Sequence, residues 1–156
     1  MTDKPMNASA HYIPGLRPVY STLSEWAYLL LRIFAGGMLI PHGGQKLFNM
    51  FGGTHEGVVG FFTSIGLEPA EPLVYLVGIG EFFGGILIVI GLFTRVAAAY
   101  TTVTMAVAAL YVHLANGLFV QAGGVELTAL WAAALLFIAV HGGGRFSVDA
   151  AIGREF

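Results

Sequence analysis

The chain has 156 residues, of which 56% are hydrophobic and 10% charged, whereas a soluble domain carries about 25% charged residues and could not cover so much apolar surface. A net charge of −2 supplies no basic field for nucleic acid. With no cysteine, disulfides, thiol catalysis, Cys-ligated iron–sulfur clusters and zinc knuckles are excluded, so any redox role needs a bound cofactor or a partner.

Residues 1–22 are polar and irregular, with Pro5, Pro14 and Pro18. They read as a flexible cytoplasmic tail and lack the basic start, apolar core and cleavage site of a signal peptide. Residues 23–145 read as the transmembrane domain, with apolar stretches at 23–48, 72–93, 96–119 and 125–141. The first three exceed the roughly 20 residues that a helical span needs, and the fourth, at about 17, sits at the lower limit. None alternates with period two, which argues for helices and against a barrel.

Turn signals separate the stretches: Gly52-Gly53-Thr54 after the first, Gly66-Leu67-Glu68-Pro69 before the second, and Gly123-Gly124 before the fourth. Pro72 suits a helix start. The short link Gly91-Leu92-Phe93-Thr94-Arg95 makes the second and third spans an antiparallel hairpin. Residues 56–66, with Val58, Val59, Phe61, Phe62 and Ile65, are amphipathic and too short to span, so they are expected at the membrane interface. Residues 146–156 read as a second cytoplasmic tail.

Four spans put both termini on one side, together with Lys4, Arg17, Arg32, Arg95, Arg145 and Arg154 and leaving Lys46 alone on the other. The positive-inside rule assigns that basic side to the cytoplasm. The fold class is therefore an all-α membrane protein, a four-transmembrane-helix bundle with cytoplasmic termini. A weak repeat lies within it. His42-Gly43-Gly44-Gln45-Lys46-Leu47-Phe48 and His113-Leu114-Ala115-Asn116-Gly117-Leu118-Phe119 both read H-x-x-[QN]-x-L-F at the outer end of odd-numbered spans. Parallel halves related about the membrane normal would produce this, as would chance likeness of two apolar helix ends.

Few residues in these spans carry chemistry. Glu81 stands near the middle of the second, roughly 13 Å from its outer start by helix rise, where an unpaired carboxylate is expensive. It reads either as a proton-handling or ligand-binding group or as an interhelix hydrogen bond. His42, Gln45 and Lys46 share one helix face, and His113 and Asn116 repeat the spacing. All five are expected near the outer boundary, converging with Glu81 on one pocket. Arg32 lies roughly 12 Å inside its span by helix rise, either snorkelling to the inner headgroups or reaching Glu81.

Such a cluster suits a quinone, whose two carbonyls need donors and whose tail needs an apolar slot. Haem ligation by His42 and His113 lacks an attachment motif to support it. No tight spacing such as H-E-x-x-H marks a metal site, so no metal ligand is assigned.

The chain also resembles the DoxX family of small bacterial membrane proteins. The resemblance rests on Leu31-Arg32, Pro41-His42-Gly43, Gln45-Lys46-Leu47-Phe48, Gly80-Glu81-Phe82-Phe83-Gly84-Gly85, Gly91-Leu92-Phe93-Thr94-Arg95, His113 with Asn116-Gly117, and Gly144-Arg145-Phe146-Ser147-Val148-Asp149, across about residues 25–150. It implies a four-helix bundle in the bacterial inner membrane and an oxidoreductase or membrane subunit of a redox complex, one branch being linked to thiosulfate and quinone chemistry. The leading expectation is a redox subunit that binds a quinone-like ligand or docks a redox partner protein. Glu81 and His113 are then the catalytic candidates, and His42, Gln45, Lys46, Asn116 and Arg32 the ligand contacts. The rival expectations are a non-enzymatic anchor or assembly factor and a small transporter that oligomerises to line a path.

A reporter fused after Phe156 tests the topology. A cytoplasm-dependent reporter is expected to be active there and a periplasm-dependent one silent; the reverse would invert the bundle.

Overall fold

The computed structural model describes residues 16–154 and 156. Lys4 and most of the expected N-terminal tail lie outside the described residues. Within them the protein is helical, with no strand. The elements are α1 (Arg17–Gly37), α2 (Leu39–Phe48), α3 (His55–Ser64), α4 (Ala70–Ile79), α5 (Gly85–Ile90), α6 (Thr94–Val107), α7 (Glu126–His141) and α8 (Val148–Ala151). Wide π-helical turns at Gly80–Gly84 and Ala108–His113 continue α4 into α5 and extend α6. Three helical runs are long and apolar enough to cross a membrane, namely Pro18–Phe48, Ala70–Ile90 and Thr94–Asn116, and a fourth apolar helix, Glu126–His141, is shorter.

The first run begins at Arg17, six residues before the expected start at 23, because Pro18 in the first turn is compatible with a helix opening. Its hydrogen-bond ladder is interrupted at Met38, between α1 and α2. Pro41 has no N–H for Gly37 O and its ring crowds that carbonyl, which accounts for the interruption. Asn49 closes α2 in the left-handed conformation, φ 55°. The expected short amphipathic segment is α3, opened by Thr54, whose hydroxyl accepts from Gly57 N at 3.1 Å.

Small residues set the helix spacings. A Cβ on Gly36 would lie 2.8 Å from Gly85 O, and one on Gly85 would lie 2.7 Å from Gly36 O, so α1 and α5 touch backbone to backbone. Gly43 lies directly on the backbone of Phe82, and Gly80 and Gly84 receive Tyr100 and Thr101 of α6. Leu39, Ile88, Ala98, Leu135 and Ile138, all fully buried, fill the middle.

The end where α1 begins and the chain finishes, here the basal end, is sealed by polar contacts. Asp149 is buried and accepts from Phe93 N at 2.9 Å, Thr94 N at 3.0 Å and Thr94 Oγ1 at 2.7 Å. It thus caps the start of α6 from another part of the chain. Gly91, at φ 73°, turns the hairpin against Ser147 and Arg32 where no side chain fits. Residues 146–156 were expected as a tail, yet α8 is built into this base because Asp149 supplies donors of the 91–95 link with their acceptor.

Arg32 is 1% exposed and its guanidinium donates to Gly143 O, Phe146 O and Val89 O. It neither snorkels nor reaches Glu81. The glycine turn at 142–144 presents free carbonyls beside it, and carbonyl oxygens there and on Val89 and Phe146 take hydrogens from both terminal nitrogens, while Nε is buried without a partner.

The glycine contacts yield a paired test. Gly43→Ala drives a methyl into the Phe82 backbone, which cannot move aside, and should destabilise the protein by about 3 kcal/mol in detergent melting. Gly37→Ala, whose nearest neighbour would be Val89 Cγ2 at 4.0 Å, should be neutral. Equal effects would mean that the α2–Phe82 contact does not limit helix approach.

Candidate functional site

The opposite, distal end contains a cavity of about 270 Å³ between α2, α3, α4, α6 and α7. Its lining is mainly apolar, with Phe61 and Phe62 of α3 on one wall and Trp131 of α7 on another. A single ion pair interrupts it. Lys46 Nζ lies 2.6 Å from Glu81 Oε2. The Glu81 side chain is 5% and the Lys46 side chain 13% exposed. Lys46 Nζ also donates to His42 O at 3.3 Å.

Local structure explains the pairing. The π-helical turn at Gly80–Gly84 carries Glu81, and such turns re-aim the residues they contain. Gly43 on the Phe82 backbone brings α2 within reach of the carboxylate. Lys46 follows one turn after His42, so both side chains enter the same space.

The two histidines also line this cavity. His113 Nδ1 lies 2.7 Å from Gly123 O. A carbonyl only accepts, so Nδ1–H donates in this contact, and Nε2 is the nitrogen left to meet a ligand. The His42 ring meets Trp131 edge-on at 5.7 Å. Trp131 is held by its own Nε1–H, which donates to Ala35 O at 3.0 Å. Thr104 and Thr128 line the walls, their hydroxyls donating to Tyr100 O and Val125 O.

Of the six residues expected to converge, His42, Lys46, Glu81 and His113 do so. Gln45 and Asn116 do not line the cavity. Gln45 Nε2 donates to Phe51 O and Asn116 Nδ2 to Gly123 O, each at 3.3 Å. Each helix end unwinds into a loop whose carbonyls need donors, and the nearby amide supplies one. Arg32 is buried at the basal end and cannot touch a ligand in this cavity. The expected alternative of an Arg32–Glu81 pair gives way to Lys46, which sits on the same level as the carboxylate.

The sequence reading missed Trp131, Thr104 and Thr128, because a threonine bonded to its own helix and a tryptophan in an apolar helix leave no pattern. It also missed His55, whose Nδ1 lies 2.6 Å from Lys46 O while its ring packs on Tyr75 at 4.4 Å. That contact fixes the backbone that carries the lysine. Among the described residues no group of three or more His, Cys, Asp or Glu is arranged to hold a metal ion.

The family model described as DoxX matches residues 27–114, a stretch that carries His42, Lys46, Glu81 and His113. A protein of Haemophilus influenzae described as "Uncharacterized protein" is 35% identical over 126 residues, covering 76% of this chain and 85% of the relative. The Bacillus subtilis protein "Putative oxidoreductase CatD" is 34% identical over 90 residues, covering 58% of this chain and 62% of the relative. No solved structure matches the chain.

The ion pair should behave as a coupled unit. Glu81→Gln or Lys46→Met alone leaves a charge unpaired in apolar surroundings and should each cost about 3–5 kcal/mol, whereas the double variant regains most of the loss. Thermal melting in detergent measures the cycle; additive losses would show that the two charges act independently.

Proposed function

The chain belongs to the DoxX family, and from that premise we propose that this multi-pass membrane protein is a redox subunit binding a quinone-like ligand in its distal cavity. The observation that carries the reading is the Lys46–Glu81 ion pair within an otherwise apolar cavity flanked by two histidines. A membrane site for a purely apolar ligand would not include a charge pair, since charges inside a bilayer are costly. A quinone head needs what is present. Lys46 and the His42 ring offer donors to carbonyl oxygens, and His113 Nε2 offers an acceptor to the hydroxyl of a reduced ring. Glu81 is the group able to exchange a proton with a ligand hydroxyl, and the aromatic walls accept the ring and the start of a tail. The printed name of the Bacillus relative, an oxidoreductase, points the same way. The bound quinone would supply the redox chemistry, and the chain's residues hold and orient it.

In this reading the bundle crosses the inner membrane four times, with Glu126–His141 as the short fourth span. The basal end, with Arg95, Arg145 and Arg154 around the chain terminus, faces the cytoplasm. The distal cavity then opens on the outer side.

Tryptophan fluorescence tests the proposal, because Trp26→Phe leaves Trp131 as the sole tryptophan of the two in the chain. Titration with a short-tailed ubiquinone in detergent should quench Trp131 saturably. The Lys46→Met/Glu81→Gln background, which stays neutral overall, should weaken binding by about tenfold or more, equivalent to about 1.4 kcal/mol. Linear quenching, identical in both backgrounds, would assign the pair to holding helices together and would end the quinone reading.

A further inference from the structure

At the basal end a groove of about 380 Å³ runs between α1 and α7. The first helix supplies Ser24, Glu25, Tyr28 and Leu31, the other Phe137 and His141. Tyr28 ties the two helices together: its hydroxyl donates to Gly142 O and its ring lies 4.2 Å from the His141 ring. Phe137, one turn earlier on α7, stacks on His141 at 5.5 Å with the rings 18° from parallel. The aromatic wall is therefore fixed by the fold itself.

Two polar side chains in this groove take no part in holding the fold. Among the described residues, neither the half-buried Glu25 carboxylate nor the His141 ring nitrogens have a hydrogen-bond or ion-pair partner. The guanidinium of Arg95, at the same end of the bundle, donates instead to Ala139 O, Val140 O and His141 O. The groove thus offers an uncompensated negative charge beside aromatic faces, and both attract a cation.

The order of the chemistry along the groove selects the occupant. Glu25 stands roughly 4.5 Å toward the base from Tyr28 by helix rise, and the Tyr28 ring is level with His141. Leu31 and Phe137 lie on the other side of that level, toward the apolar middle of the bundle. From the base inward the groove therefore presents a carboxylate, then an imidazole, then two hydrocarbon side chains. A zwitterionic aminophospholipid carries an ammonium, a phosphate and acyl chains in the same order. Glu25 receives the ammonium in a charge-assisted bond, and an imidazole N–H donates to a phosphate oxygen in either neutral tautomer. A lipid with a purely anionic head meets the Glu25 carboxylate as a like charge, and a free amine leaves the apolar end unused. We propose that this groove binds one aminophospholipid, its ammonium on Glu25, its phosphate on His141 and the start of its chains on Leu31 and Phe137. None of these residues lines the distal cavity, so the inference is independent of whether that cavity takes a quinone.

Native mass spectrometry tests this on the full chain, extracted into mild detergent from bilayers of equal parts phosphatidylethanolamine and phosphatidylglycerol. Each chain should retain one phosphatidylethanolamine in preference to phosphatidylglycerol. Glu25→Gln should lower that preference by about tenfold, the loss expected of one charge-assisted bond. Its melting point in lipid-free detergent should match the parent's, because the carboxylate has no partner in the fold. His141→Phe keeps an aromatic ring on Phe137 and should weaken retention of both lipids severalfold. Soluble phosphoethanolamine in excess should leave the bound lipid in place. Equal retention of the two lipids by the parent, or a preference that survives Glu25→Gln, would overturn the site. Displacement by soluble phosphoethanolamine would assign the groove to a free amine and overturn the lipid.

Discussion

A charged group inside an apolar bundle has to find its partners within the protein, and this constraint organises the molecule from both ends. At the base, Arg32 is buried without a carboxylate within ion-pair distance among the described residues, and carbonyl oxygens of Val89, Gly143 and Phe146 accept from its two terminal nitrogens, leaving only Nε without a partner. Those carbonyls are free because the chain leaves its helices there. The arginine therefore draws the end of α5 and the segment after α7 against α1. Asp149 does the complementary work, accepting from backbone and hydroxyl donors where α6 begins. Charge and open backbone ends satisfy each other.

At the distal end the same constraint has a different solution. Lys46 and Glu81 satisfy each other directly, at 2.6 Å, and so leave the neighbouring loop carbonyls to Gln45, His55 and Asn116. The helices do not close over the pair. Glycine contacts hold α1 and α2 tightly on α5 and its π-helical turn, while α3 buries none of its own residues and leaves space beneath it. A tight centre, a sealed base and a loose top leave an apolar-walled cavity with an ion pair inside it.

The two related heptapeptides clarify how the site is built. In both, the histidine enters the cavity and the amide three residues later steadies a loop. Their difference lies at the following position, where Lys46 forms the ion pair and Gly117 turns the chain with φ 84°. Near-equivalent helix ends thus contribute unequal chemistry, and only one half carries charge into the cavity.

Composition and pattern determined a good deal by themselves. Low charge and long apolar runs dictate membrane helices, the glycine and proline positions mark where they break, and a carboxylate in the middle of such a run must turn inward. The inward turn of His42, Lys46, Glu81 and His113 was legible for that reason. The tertiary structure alone decided partners, because these depend on the rotation and depth of one helix against another. A shift of one residue turns a helix by about 100°, and no local pattern encodes it. So Arg32 goes to loop carbonyls and Lys46 to Glu81, Gln45 and Asn116 turn away from the cavity, and Asp149, in a segment that reads as a tail, caps a helix at a sequence separation of 55 residues.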